Sequence, residues 1–154
     1  MKSTIIAAIV LAFAASAHAA EPTLAPMPPK LETQLALSAA PPRLRDNATV
    51  HLLDPATGYK LVREGSNGIT CIVERTQWEL ADFRDDIYVP LCYDAEGTKT
   101  YLKYIMDTAA MRAGGMGPAE LKAAVEKRFR DKTYPVPAKP GLSYMIAPIM
   151  RTLG

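Results

Sequence analysis

In 154 residues the chain carries 18 Lys and Arg against 16 Asp and Glu, a formal net charge of +2, and 49% of its residues are hydrophobic. So even a balance excludes an electrostatic case for nucleic acid or for a polybasic membrane-surface module, because both depend on clustered Lys and Arg. The length suits a single domain with one core.

The chain opens like a secretory signal, with Lys2, an apolar run over 5–15 and the small-residue motif Ala17-His18-Ala19. Cleavage is expected after Ala19. A membrane anchor needs roughly 20 apolar residues, whereas this run is much shorter and meets Glu21 and Pro22. No cysteine follows it to accept a lipid. Residues 1–19 therefore read as a signal peptide, and the remainder as a bacterial protein without a membrane anchor, exported to the periplasm or secreted.

Residues 20–42 read as a proline-rich amino-terminal arm, since Pro22, Pro26, Pro28 and Pro29 remove donors and favour extended backbone. It includes a short helix over 30–39, with Leu31 and Leu35 one turn apart, ended by Pro41-Pro42. The narrow apolar face leaves open whether this helix docks or belongs to a mobile arm. Residues 43–154 are expected to form the single domain.

The middle of the chain reads as sheet. An apolar run over 50–53 stops at Asp54-Pro55-Ala56-Thr57-Gly58, a cluster with turn chemistry. Residues 59–63 fit a partly buried strand, Gly65-Ser66-Asn67-Gly68 tolerates positive φ, and 69–73 resumes a β-branched run. Three strands joined by two short turns predict an antiparallel meander. Residues 74–90 form an irregular loop carrying Trp78, Phe83 and Tyr88, and 88–93 adds an extended segment beside the third strand.

Two cysteines, Cys71 and Cys92, bracket that loop, and in an oxidising compartment such a pair forms a disulfide. Closing about 20 residues would stabilise the fold by roughly 3 kcal/mol in the chain-entropy model. A reactive thiol would prefer a C-x-x-C spacing or a cationic neighbour, and neither is clear here.

After the turn at Asp94-Ala95-Glu96-Gly97, residues Tyr101, Leu102, Ile105, Met106 and Ala109 define one helical face. Gly114-Gly115-Met116-Gly117 breaks that helix, Pro118 suits the first turn of another, and Leu121, Val125 and Phe129 lie four apart along it. The two segments predict a helical hairpin. The tail is rich in proline at Pro135, Pro137 and Pro140, and 142–146 is expected to pair at a sheet edge.

Chemistry-bearing residues are sparse. Beyond the signal the chain has one histidine, His51, so a zinc site would be mostly carboxylate, and no metal or cofactor is expected. Asp82, Asp85 and Asp86 lack the alternating spacing and glycine of a calcium loop. Met106 and Met111 are five apart and fall on different helix faces, which makes the methionines core fillers and not copper ligands. Gly141-Leu142-Ser143-Tyr144 begins like a nucleophile elbow, but Met145 replaces its second glycine and His51 precedes the serine. Gly114-Gly115-Met116-Gly117 lacks the Lys and the preceding strand of a P-loop.

Aromatic residues on an ordered loop are favoured contact groups, which makes Trp78, Phe83, Tyr88 and Tyr93 the candidate binding surface. Their alternative role is to cap a small core. The stretch Arg63-Glu64-Gly65-Ser66-Asn67-Gly68-Ile69-Thr70-Cys71-Ile72-Val73-Glu74-Arg75, with Pro90-Leu91-Cys92-Tyr93-Asp94 and Pro140-Gly141-Leu142-Ser143-Tyr144-Met145, resembles a group of uncharacterised exported bacterial proteins that share an R-E-G-x-N-G-x-T-C-x-V-x-R motif. The resemblance implies export and carries over no catalytic or binding residue. The expected fold is α+β: an antiparallel meander, a helical hairpin on one face and one disulfide. The expected function is a non-enzymatic module that binds a protein or small-molecule partner, with an enzyme built around His51 as the alternative.

Overall fold

Residues 24–77 and 81–150 are described in a computed structural model of the chain. The expected signal peptide over 1–19 and the candidate contact residue Trp78 lie outside the described residues. The first paired element is the predicted hairpin, β1 (Thr49–Asp54) antiparallel to β2 (Gly58–Arg63). In its turn Asp54 Oδ1 accepts from the Ala56 N–H at 2.9 Å, and the Thr57 N–H donates to the Asp54 carbonyl at 3.1 Å. Gly58 closes the turn at φ 93°, a left-handed conformation that costs glycine little.

Beyond the hairpin the chain departs from the expected meander. β3 (Thr70–Glu74) lies on the other side of β1 and runs parallel to it, with Thr49 opposite Thr70 and Val50 opposite Cys71. The cause is the segment 64–69, which passes beneath the start of β1 instead of making a hairpin turn. The Ser66 and Asn67 N–H groups both donate to the Asn47 carbonyl, at 2.9 and 3.2 Å, and the Gly65 N–H donates to Thr49 Oγ1 at 3.0 Å. Gly65 is required by this close approach, because any side chain there would collide with the Asn47–Thr49 backbone.

β4 (Val89–Tyr93) then pairs antiparallel with β3, and the two-residue β5 (Ser143–Tyr144) pairs antiparallel with β4. The result is a mixed five-stranded sheet in the order β2-β1-β3-β4-β5. Cys71 and Cys92 are directly opposite in the β3–β4 ladder, with Cα atoms 4.1 Å apart, and form the predicted disulfide. It fastens the 75–88 loop at its base.

Helices cover both faces of this sheet, not one. Alternation sends Cys71 and Val73 of β3 to one side and Ile72 to the other. The first side is covered by α1 (Pro29–Ser38), whose Ala36, together with Ala39 and Ala40, is fully buried against Val50, Cys71 and Cys92. The helix of the proline-rich arm is thus part of the core, and small alanines explain how a helix with so narrow an apolar stripe can dock. A short α2 (Pro42–Arg45) links it to β1.

On the second side the chain begins a helix at α3 (Ala95–Gly97), capped by Asp94 Oδ1 accepting from the Gly97 N–H at 2.7 Å. It passes through a π-helical turn (Thr98–Leu102) and continues as α4 (Lys103–Ala113). Leu102, Ile105 and Ala109 are buried, whereas Tyr101 is 64% exposed. The wider turn shifts the phase of the helix, which is why Tyr101 leaves the face that regular periodicity predicts. α5 (Pro118–Arg130) completes the helical pair, but it packs chiefly on α4 and of its apolar row buries only Leu121 deeply. No helix among the described residues is long and apolar enough to cross a membrane.

Candidate functional site

A groove of about 910 Å³ lies between the π-helical turn and α4 on one side and α5 with the following tail on the other. Its local sequence explains it. Pro118 starts α5, and after Lys132, at φ 61°, the chain folds back so that the Tyr134 N–H donates to the Arg128 carbonyl at 3.2 Å. This brings the Tyr134 ring against Tyr104 and Phe129. The three rings meet with centroids 5.7 Å (Tyr104 to Tyr134), 5.1 Å (Phe129 to Tyr134) and 5.9 Å (Tyr104 to Phe129) apart, tilted or edge to face. The tail is then held where Glu96 Oε1 accepts from the Ala138 N–H at 2.9 Å.

The walls are apolar: Tyr101, Leu121, Val125, Pro135, Val136 and Pro137 join the ring trio, and Thr100, Lys122 and Glu126 supply the polar groups. Tyr101, Phe129 and Val136 are 64%, 57% and 83% exposed, so the groove is open along its length. In general, contiguous exposed apolar surface of this kind is enriched at interaction sites. The Tyr134 hydroxyl is buried without a hydrogen-bond partner among the described residues, and burial beside the Asp107 charge pushes it up to about 12, so it remains a neutral phenol.

Of the loop aromatics, Phe83 is buried, and Tyr88 and Tyr93 are half-buried. Phe83 is buried with Leu24, Leu53 and Ala109, which is the core-capping role. Tyr88 is half-buried beneath the Arg75 guanidinium, 4.3 Å from its ring centroid. Tyr93 packs on the Ile72 cluster, and burial, with the Glu74 charge nearby, pushes its phenol up to about 12. Trp78 lies outside the described residues. His51 is half-buried on β1, its Nδ1 has no hydrogen-bond partner among the described residues, and burial lowers its pKa. The described residues contain no group of three or more His, Cys, Asp or Glu able to hold a metal ion.

A second polar centre lies inside the fold, where β1 and β3 separate beyond Val50 and Cys71. There the Leu53 N–H donates to Glu32 Oε1 and the Tyr59 hydroxyl donates to the Val73 carbonyl, both at 2.8 Å. Arg75 donates from Nε to the Ile87 carbonyl at 2.8 Å, and Arg112 from Nη2 to the Gln77 carbonyl at 3.1 Å. Burial pushes Glu74 up to about 7 despite the attraction of Arg112, and burial also raises Glu32 against the Leu53 bond and the Arg75 charge. Glu32 and Tyr59 thus satisfy sheet backbone groups where the strands splay, and the two arginines satisfy carbonyls of the 75–88 loop.

Neither centre was visible in the sequence. Leu121, Val125 and Phe129 have the spacing of a core face, and only the tail Tyr134-Pro135-Val136-Pro137 hinted at a second aromatic–proline wall. Glu32, Glu74, Arg75 and Arg112 carry no local sign of burial. No protein-family model, curated protein or solved structure matches the chain, so the site stands on its geometry alone.

Proposed function

We propose that the protein is an exported, disulfide-stabilised binding module that captures an extended apolar peptide segment in the groove between α4 and α5. The observation that carries this proposal is the packed trio Tyr104, Phe129 and Tyr134, set beside prolines in a groove whose outer rings, Tyr101 and Phe129, are more than half exposed. A small molecule in a dedicated pocket has 70–90% or more of its surface buried, as a general rule. An open trough suits a chain that offers one apolar face, and aromatic–proline walls are the surfaces on which extended and polyproline segments dock. Export is supported by the tripartite amino terminus, and the buried disulfide is compatible with an oxidising compartment. An enzyme around His51 gains no support, since its Nδ1 meets neither a carboxylate nor a hydroxyl among the described residues.

The test is an array of aliphatic and proline-rich decapeptides, with hits measured by fluorescence anisotropy. Phe129→Ala and Tyr101→Ala are each expected to weaken binding at least tenfold, the usual size of an aromatic anchor's contribution, while the melting temperature stays close to that of the parent. An array without hits, or affinities indifferent to both substitutions, refutes the proposal.

A further inference from the structure

The tail wall of the groove is a strap, and we infer that Glu96 is its clasp, a positioning residue that holds this wall in place without touching the bound segment. Residues 134–137 line the groove from the tail side, together with Thr100, Tyr101 and Tyr104 from the helical side, whereas Glu96 is not among the lining residues. Its role in binding rests on the capture of a peptide in that groove.

Both ends of the strap are anchored. At the first, Asp131 Oδ1 accepts from the Thr133 N–H at 3.1 Å and from Thr133 Oγ1 at 2.6 Å, and the Tyr134 ring that follows is buried. Lys132, between Asp131 and Thr133, has φ 61° and is the one non-glycine residue with positive φ among the described residues, so the chain reverses there in a strained conformation. At the second, the Asp94 N–H donates to the Leu142 carbonyl at 3.0 Å, and a Cβ added at Gly141 would stand 2.8 Å from the Gly97 nitrogen. Between these anchors residues 135–140 are all exposed. Among the described residues a single hydrogen bond ties them to the body of the protein, from the Ala138 N–H to Glu96 Oε1 at 2.9 Å. The Lys139 charge adds a weaker, water-screened attraction to Asp94.

The composition of the strap makes that one bond matter. Pro135, Pro137 and Pro140 fix φ and offer no N–H, so the segment is stiff and cannot pair as a strand. A bond at Ala138 therefore sets where residues 135–137 stand. Glu96 is itself tied to the facing wall, because its carbonyl accepts from Thr100 Oγ1 at 2.9 Å. Its backbone thus holds one wall and its carboxylate the other, which fixes the width of the groove at that end. A wall held in place before binding spares the complex the entropy of ordering it, and the gain is read mainly in the dissociation rate.

Amide exchange followed by NMR in the free protein tests the clasp. Glu96→Ala should speed exchange of the Ala138 N–H roughly tenfold, the size expected for losing a hydrogen bond to a charged acceptor. The Tyr134 N–H and the amides of α4 should stay as protected as in the parent. Glu96→Gln keeps the acceptor oxygen and should restore the parent rate, which separates the bond from the favourable charge of an acidic residue in the first helical turn. A decapeptide that binds the parent should leave Glu96→Ala about fivefold faster, and Glu96→Gln at the parent rate, with melting temperatures unchanged. Ala138→Pro removes the donor instead, and combining it with Glu96→Ala should speed release no further. Unchanged exchange at Ala138 in Glu96→Ala, a Glu96→Gln variant that behaves like Glu96→Ala, or additive effects in the double variant each overturn the inference. Exchange that responds while peptide release does not also overturns it, and leaves peptide capture standing. If no peptide binds the parent, peptide capture falls, and the exchange rates alone decide whether Glu96 holds the strap.

Discussion

Glu74 makes the stability of this fold depend on pH in an unusual direction. Its carboxyl ionises near 4.5 when solvated and is pushed up to about 7 in the folded chain, mainly by burial. A raised carboxyl binds its proton more tightly in the native state. The associated stability is therefore fully present below pH 4.5 and is lost as pH rises through about 7. At 1.36 kcal/mol per pH unit the difference amounts to roughly 3 kcal/mol between pH 5 and 8. Glu74→Gln keeps the shape and removes the titration, so the variant should match the parent near pH 5 and exceed it by about 2–3 kcal/mol at pH 8. Urea denaturation at constant ionic strength measures both curves. His51, lowered by burial, gains stability as pH rises through the same window, and Glu32, raised by burial, acts in the sense of Glu74. Both are common to the two proteins and cancel in the difference between them. Tyr59 and Tyr93 are raised and ionise above the window, whereas Asp54, Asp94 and Asp131 are lowered and act below it. Parallel curves for parent and Glu74→Gln across pH 5–8 would show that Glu74 is ionised in the fold and sink this account.

Replacing both Cys71 and Cys92 by Ala should cost about 3 kcal/mol in equilibrium unfolding. The intact disulfide, fully buried beneath α1, should resist dithiothreitol until the protein is unfolded, which thiol trapping with and without denaturant measures. Gly65→Ala should destabilise by more than about 2 kcal/mol, since its Cβ would enter the Asn47–Thr49 backbone. Gly115→Ala, where nothing lies within 4 Å of the added methyl, should cost only the strain of its positive φ, about 1 kcal/mol. Chemical denaturation of the two variants side by side separates crowding from conformation.

The chain's local chemistry decided much of the secondary structure. The Asp54–Gly58 turn, the sequence of strands, the helix break at Gly114 to Gly117, the α+β class and the Cys71–Cys92 pair all follow from turn residues, periodicity and cysteine usage. These are short-range properties, fixed by φ preferences and by which side chains repeat on one face. Strand order was decided elsewhere. Gly65-Ser66-Asn67-Gly68 has the composition of a hairpin turn, and only its bonds to Asn47 and Thr49, some twenty residues earlier, carry β3 past β1. The same holds for α1, which docks because Ala36, Ala39 and Ala40 are small enough to lie against Cys71 and Cys92, and for Phe83, which the core absorbs. The groove depends on a π-helical turn that rotates Tyr101 outward and on a tail that folds back through Tyr134. Burial and long-range pairing belong to the assembled chain, so which aromatic residues face solvent and which carboxyls lose their water was settled only by the tertiary structure.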